Sequence, residues 1–214
     1  MSDPHFSEGA TEALRSRGAA GSGARASTPP PAVIRSPALA RGLRELSRQL
    51  GEGRKVLVST SPRLLNLVSL YVVCSLQREP GTVLFISVDR PKGFMSRMVE
   101  RHCPANGRVL WGDFTTLPQG TVSYVSGLFA PKLLLEAHDH LLRNAGQGVS
   151  VVVANLSALS YYNSNDRVRE FLAALDKKVE EGPIRKMAIV MDGQEQYIYN
   201  EAKIFTDKSV ELGW

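Results

Sequence analysis

The chain has 214 residues, of which 43% are apolar and 22% charged. That supports a sizeable core and excludes a disordered or fibrous protein. Its formal net charge of +5 is unevenly spread: seven arginines and four acids fall within residues 1–50, and the other 164 residues carry 19 basic and 17 acidic side chains. The body is nearly balanced, without the dense basic stripe and interleaved aromatics of a dedicated nucleic-acid binder.

No apolar run reaches the 18 or so residues that a membrane span needs. The opening MSDPHFSEGA has an early acid and no apolar core of a secretory signal. Two cysteines make neither a disulfide framework nor a multi-ligand zinc site. These features lead to the expectation of a cytoplasmic chain with no membrane contact.

Residues 1–36 are Gly, Ala, Ser, Pro and Arg with almost nothing to bury, and read as a disordered leader or a docking peptide that orders on a partner. Residues 37–53 form the next unit. Ser36 is placed to cap a helix with Pro37 at its first position, and Leu39, Leu43, Leu46 and Leu50 recur at helical spacing. A helix this short is marginal alone, so these leucines pack either on the domain body or on a partner. Gly51 to Gly53 end it.

From residue 54 to 214 strand and helix patterns alternate. KVLVST (55–60), TVLFISV (82–88), RVLWGDF (108–114), VSVVVANLSAL (149–159) and RKMAIVMDG (185–193) read as strands, with TVSYVS (121–126) a short extended piece and SVEL (209–212) the last. Helices are expected from Pro62 to Gln77, over 91–103, over 131–146 and from Asp166 to Gly182. Continuous β-branched runs separated by helices point to an α/β fold: a doubly wound, mainly parallel sheet covered by helices on both faces.

Ligands of such sheets sit beyond the C-terminal ends of the strands. A phosphate-binding loop there reads G-x-x-x-x-G-K-[ST], with glycines baring backbone N–H groups and lysine reaching the phosphates. The segment after the first strand is STSPRLLNL (59–67). With Ser59 in the place of the first glycine, Leu64 replaces the second, Leu65 the lysine and Asn66 the hydroxyl, and Arg63 is the one cation nearby. The magnesium-holding strand of such proteins ends in an acid; VVVAN ends in Asn155. Both halves of the machinery are eroded in one chain.

Asp89, Asp113 and Asp192 each follow a strand pattern. They either converge as a polar pocket at the sheet edge or serve as ordinary turn caps. Tyr161 and Tyr162 fall in the loop after the most apolar strand, where they stack on a ligand, plug a vacant pocket or cover a helix. Trp214 is a further partner-anchor candidate. His138 and His140, two apart, do not share a helix face, and His102 beside Cys103 makes a nucleophilic pair only with spatial support.

The order of these segments, with VLFISVDRP, RVLWGDF, SGLFAPKLLLEAHDHLL, VVVANLSALSYYNSNDRVREFLAALDKKV and KIFTDKSVEL, resembles the RecA-like ATPase superfamily, and within it the circadian-clock and archaeal branch. The resemblance covers residues 54–213. It implies a RecA-like domain at 54–214 and places the vestigial nucleotide loop at Ser59, Arg63, Leu64, Leu65 and Asn66. The vestigial base falls at Asp89, a position or more late, and the vestigial metal position at Asn155. Active relatives bind ATP with magnesium and assemble as rings or filaments. A member so eroded is expected to be a pseudo-ATPase without a cofactor, a regulatory or scaffold subunit that binds a RecA-like paralogue or itself. Nucleotide sensing without hydrolysis, and accessory contact with DNA in repair or recombination, are the alternatives.

Overall fold

The computed structural model describes residues 36–103, 107–113, 131–132, 135, 139–144, 148–182 and 184–213. The leader, the 121–126 piece and Trp214 lie outside the described residues.

Helix α1 (Pro37–Glu52) leads into β1 (Lys55–Thr60), α2 (Leu65–Leu76), β2 (Thr82–Ser87), α3 (Lys92–His102) and β3 (Arg108–Asp113). Then follow α4 (Asp139–Asn144), β4 (Val149–Ala154), the single turn α5 (Ser157–Ser160), α6 (Asn165–Glu181), β5 (Ile184–Asp192), α7 (Gln196–Ile204) and β6 (Lys208–Leu212). The six strands form one all-parallel sheet in the order β3-β2-β4-β5-β1-β6.

Alternate strand residues feed two separate cores, the pattern expected of a sheet buried on both faces. Leu57, Leu84, Ile86, Val151, Val153 and Ile189 pack with the apolar sides of α6 and α7. Val56, Val58, Phe85, Val152, Val190 and Val210 pack with α1, α2 and α3. The fold is therefore α/β and doubly wound. Among the described residues no helix is long and apolar enough to cross a membrane.

Leu39, Leu43, Leu46 and Leu50 are not partner contacts. All four are buried in the same cluster as Val58, Val210 and Leu212, because β1 and β6 at this end of the sheet have no other helix to cover that face. The Ser36 hydroxyl caps the Leu39 N–H. The Tyr71 hydroxyl of α2 donates to the Leu43 carbonyl at 3.0 Å, which leaves the Ser47 hydroxyl to donate to Tyr71 at 2.8 Å. At the other end of α1, Lys186 donates to the Leu50 carbonyl at 2.7 Å and pairs with Glu79, a cation at a helix C-terminus. Gly42 lets α1 and β6 approach closely: a Cβ there would stand 2.5 Å from a terminal methyl of Leu212, which would have to shift.

Two local readings change. The run VSVVVANLSAL is a strand only to Ala154; Asn155 takes a left-handed conformation, φ 60°, and turns the chain into α5. Apolar character continues through Leu156 and Leu159 because both remain in the core, which hides the turn from a pattern reading. The helix α7 was not expected at all. Only Ile198, Tyr199 and Ala202 of its nine residues are buried, too thin a stripe among Gln, Glu and Asn to stand out.

The cysteines are joined: Cys74 of α2 and Cys103, just past α3, form a disulfide across 29 residues of sequence. Cys103 is thus no nucleophile for His102. Disulfides persist in oxidising compartments and in the cytosol of hyperthermophiles, so a cytoplasmic location now carries that condition.

Two outcomes follow. Leu46→Ala, which empties a fully buried site, is expected to cost about 2–5 kcal/mol; a change under about 0.5 kcal/mol in denaturant melts would mean that α1 is not part of the fold. Closing a loop of this length with a disulfide is worth about 3–4 kcal/mol, so a reductant is expected to lower Tm by roughly 6–12 °C. Two titratable thiols in the unreduced, denatured protein would contradict the bridge.

Candidate functional site

Two crevices open at the C-terminal edge of this sheet. A crevice forms where neighbouring strands send their next helices to opposite faces. β1 continues into α2 on one face, and its neighbour β5 into α7 on the other. β2 and β4 are divided in the same way, by α3 and by α5 with α6.

At the first crevice the expected nucleotide loop is a tight turn. Four residues, Ser61–Leu64, link β1 to α2, and the Leu64 N–H donates to the Ser61 carbonyl at 2.9 Å. In a phosphate-binding nest such N–H groups face the anion; here one is spent inside the turn. Leu64 is 4% exposed and belongs to the core beneath α2. Leu65 and Asn66 are half-buried, and Arg63 stands in solvent. Ser59 and Thr60 are buried, the latter donating to the Leu212 carbonyl of β6 at 3.1 Å.

Beside this turn lies a cleft of about 260 Å³ between the ends of β1 and β6 and the start of α7, with Ser59, Gln194, Tyr199, Glu211 and Leu212 among its lining. The Tyr199 hydroxyl donates to the Glu211 carboxylate at 3.0 Å, and burial holds this phenol above its usual range, Glu211 adding to the effect and a bond to Ser209 opposing it.

The second crevice brings together Asp89 and Asn155. The register Ser87↔Ala154 puts the two following segments side by side. Asn155 tolerates the left-handed conformation better than most residues, and its amide donates to the Asp89 carboxylate at 2.7 Å. The Ser87 hydroxyl closes the turn by bonding the Arg90 carbonyl, and Arg90 stands 3.7 Å from the same Asp89 oxygen. One Asp89 oxygen thus faces both the amide and the guanidinium. One carboxylate and one amide do not amount to the donor set of a divalent cation, and among the described residues no three His, Cys, Asp or Glu side chains gather as metal ligands.

The three aspartates do not converge. Asp192 accepts from the Gln194 N–H at 3.0 Å and so caps the turn into α7, while its own N–H donates to the Ser157 hydroxyl at 2.9 Å. β4 separates β2 from β5, which spaces Asp89 and Asp192 by two strands, about 10 Å. Asp113 ends β3, paired with Ser87 on the edge strand; its side chain is outside the described set. Tyr161 and Tyr162 plug no pocket: they are 65% and 51% exposed. The Tyr161 hydroxyl donates to Glu195 at 3.2 Å, a bond that raises its pKa. Gln194, Tyr199 and Glu211 escaped the sequence reading, since only the α7 turn and the β1–β6 pairing bring them beside Ser59.

Replacing Asn155 with Asp tests the second crevice. It sets two carboxylates within hydrogen-bond distance, so the folded pKa of one rises above its unfolded value near 4. The penalty is then absent below that unfolded pKa and grows as pH rises. The variant is expected to melt several degrees below the parent at pH 7.5, with the gap closing near pH 4. A gap that closes at pH 7.5 on adding millimolar magnesium would instead show that this edge holds a metal once an acid is restored.

No known family model matches the sequence, and no curated protein does.

Proposed function

We propose that this chain is a RecA-like domain without nucleotide turnover, acting through protein contacts as a regulatory or scaffold subunit for a RecA-like paralogue or for copies of itself. Leu64 carries the reading. A triphosphate needs an open ring of N–H groups and a cation at the start of the helix after the first strand. That position holds a buried leucine whose N–H is bonded to Ser61, followed by Leu65 in place of lysine.

The second crevice supports the same reading. Asp89 accepts one bond from the Asn155 amide, and an amide in the place of a second carboxylate offers magnesium no carboxylate pair. What the edge offers instead is side chains suited to protein contacts. Tyr161, Tyr162, Tyr197 and Phe94 are exposed, and all lie near the N-terminal ends of helices that follow strands. Tyrosine is enriched in protein interfaces, where a rigid ring brings contact area at little entropic cost.

Calorimetric titration with ATP, with and without magnesium, decides between this reading and nucleotide sensing. In a folded sample no heat is expected up to millimolar ligand. Micromolar, magnesium-dependent binding, or ATP hydrolysis lost in Asp89→Ala, would overturn the proposal. A steep loss of DNA affinity with salt would transfer the protein to the accessory DNA role.

A further inference from the structure

The cleft at the β1–β5 crevice is unlike the rest of the edge, because it is open and its polar groups are not all used. Ser59 is 5% exposed and lines it. Among the described residues its hydroxyl has no hydrogen-bond partner; it reaches the solvent of the cleft and is free to bond whatever enters. Glu211 makes no ion pair among the described residues. Its one bond, from Tyr199, occupies a single oxygen and leaves the second free. No lysine or arginine lines the cleft. Asp192 lies at the adjoining strand end, paired in register with Thr60, and Glu195 stands three residues further on. These acids outnumber the nearby cations, which are Lys203, whose ammonium lies 5.8 Å from the Tyr199 ring centroid, and the exposed Arg63 of the adjoining turn.

We propose that this cleft seats an arginine side chain of a partner polypeptide. The inference rests on the protein-contact reading above and names the chemistry of the partner. Size argues for a side chain over a nucleotide: about 260 Å³ falls below the roughly 300–1,000 Å³ of sites that enclose whole small molecules. The acceptors argue for guanidinium over ammonium. The Glu211 carboxylate and the Ser59 hydroxyl come from different strands and suit a planar cation with five N–H donors better than a compact one with three. The Tyr199 ring supplies apolar wall for the aliphatic stem. Beside the mouth, Tyr197 adjoins the lining residue Gln196, and Tyr161 is held near it by Glu195. An arginine in a pocket rimmed by tyrosines is the usual composition of an interface hot spot.

The test is an NMR titration of the full chain, ¹⁵N-labelled, with Nα-acetyl-arginine amide. Nα-acetyl-citrulline amide, the uncharged analogue of the same shape, runs in parallel, with magnesium-ATP as a third arm. The arginine probe is expected to shift the amides of Gly193, Gln194, Leu212 and Gly213 and to saturate in the millimolar range. Citrulline is expected to bind at least tenfold more weakly. Glu211→Gln keeps an oxygen for the Tyr199 hydroxyl and is expected to weaken the arginine probe about tenfold without changing the melt. No shifts at 50 mM arginine probe, equal shifts with citrulline, or an unaffected Glu211→Gln would each overturn the assignment. If the arginine probe is silent and magnesium-ATP is silent too, the cleft inference fails and the protein-contact reading stands. If magnesium-ATP shifts the Ser61–Asn66 amides, that reading fails, whatever the arginine probe does.

Discussion

Everything in this molecule depends on a parallel sheet that tolerates water on neither face. Each strand contributes residues to two cores, so each stretch of sheet needs a helix above and below it. Most of the cover comes from the helices that connect the strands. The β1–β6 end lacks such a helix on one side, and α1 supplies it. Four leucines, each worth about 1.5–3 kcal/mol when buried, are held in place by Tyr71, Ser47 and Lys186. The helix that reads as a detachable appendage is the last wall of the domain.

The same economy of cover shapes the functional edge. Leu64 turns inward to complete the packing of α2, and its N–H closes the β1–α2 turn on the Ser61 carbonyl. At the neighbouring crevice Asn155, in the left-handed conformation, donates to Asp89. Beside the β1–α2 turn, the cleft toward β6 keeps the Ser59 hydroxyl and a Glu211 oxygen without partners among the described residues. A closed turn and an open pocket thus stand side by side at one crevice.

Much of the fold was legible in the chain because parallel, doubly covered strands write themselves as β-branched runs. KVLVST and TVLFIS stand out for that reason, and α6 stands out because Val168, Phe171, Leu172, Leu175 and Val179 mark a complete apolar side. Legibility failed where burial was not periodic. Asn155 interrupts a strand whose hydrophobicity does not pause, and α7 buries too few residues to announce itself. That the segment after β1 departs from a phosphate-loop pattern was visible as missing residue types: no glycine, no lysine, and no acid ending β4. That it forms a hydrogen-bonded turn with a buried leucine was not.

The sequence by itself determined the alternation of elements, the class of fold and which residue types of a phosphate-binding pattern are missing after the first and fourth strands. These are local properties, set by side-chain type at each position and by period along the chain. The tertiary structure decided the rest: that α1 belongs to the body, that Cys74 meets Cys103 across 29 residues, that Asp89 meets Asn155 while Asp192 does not, and that Ser59, Tyr199 and Glu211 share a cleft. Strand order makes these encounters, and order depends on which faces must be covered together, a condition that no local stretch of sequence contains.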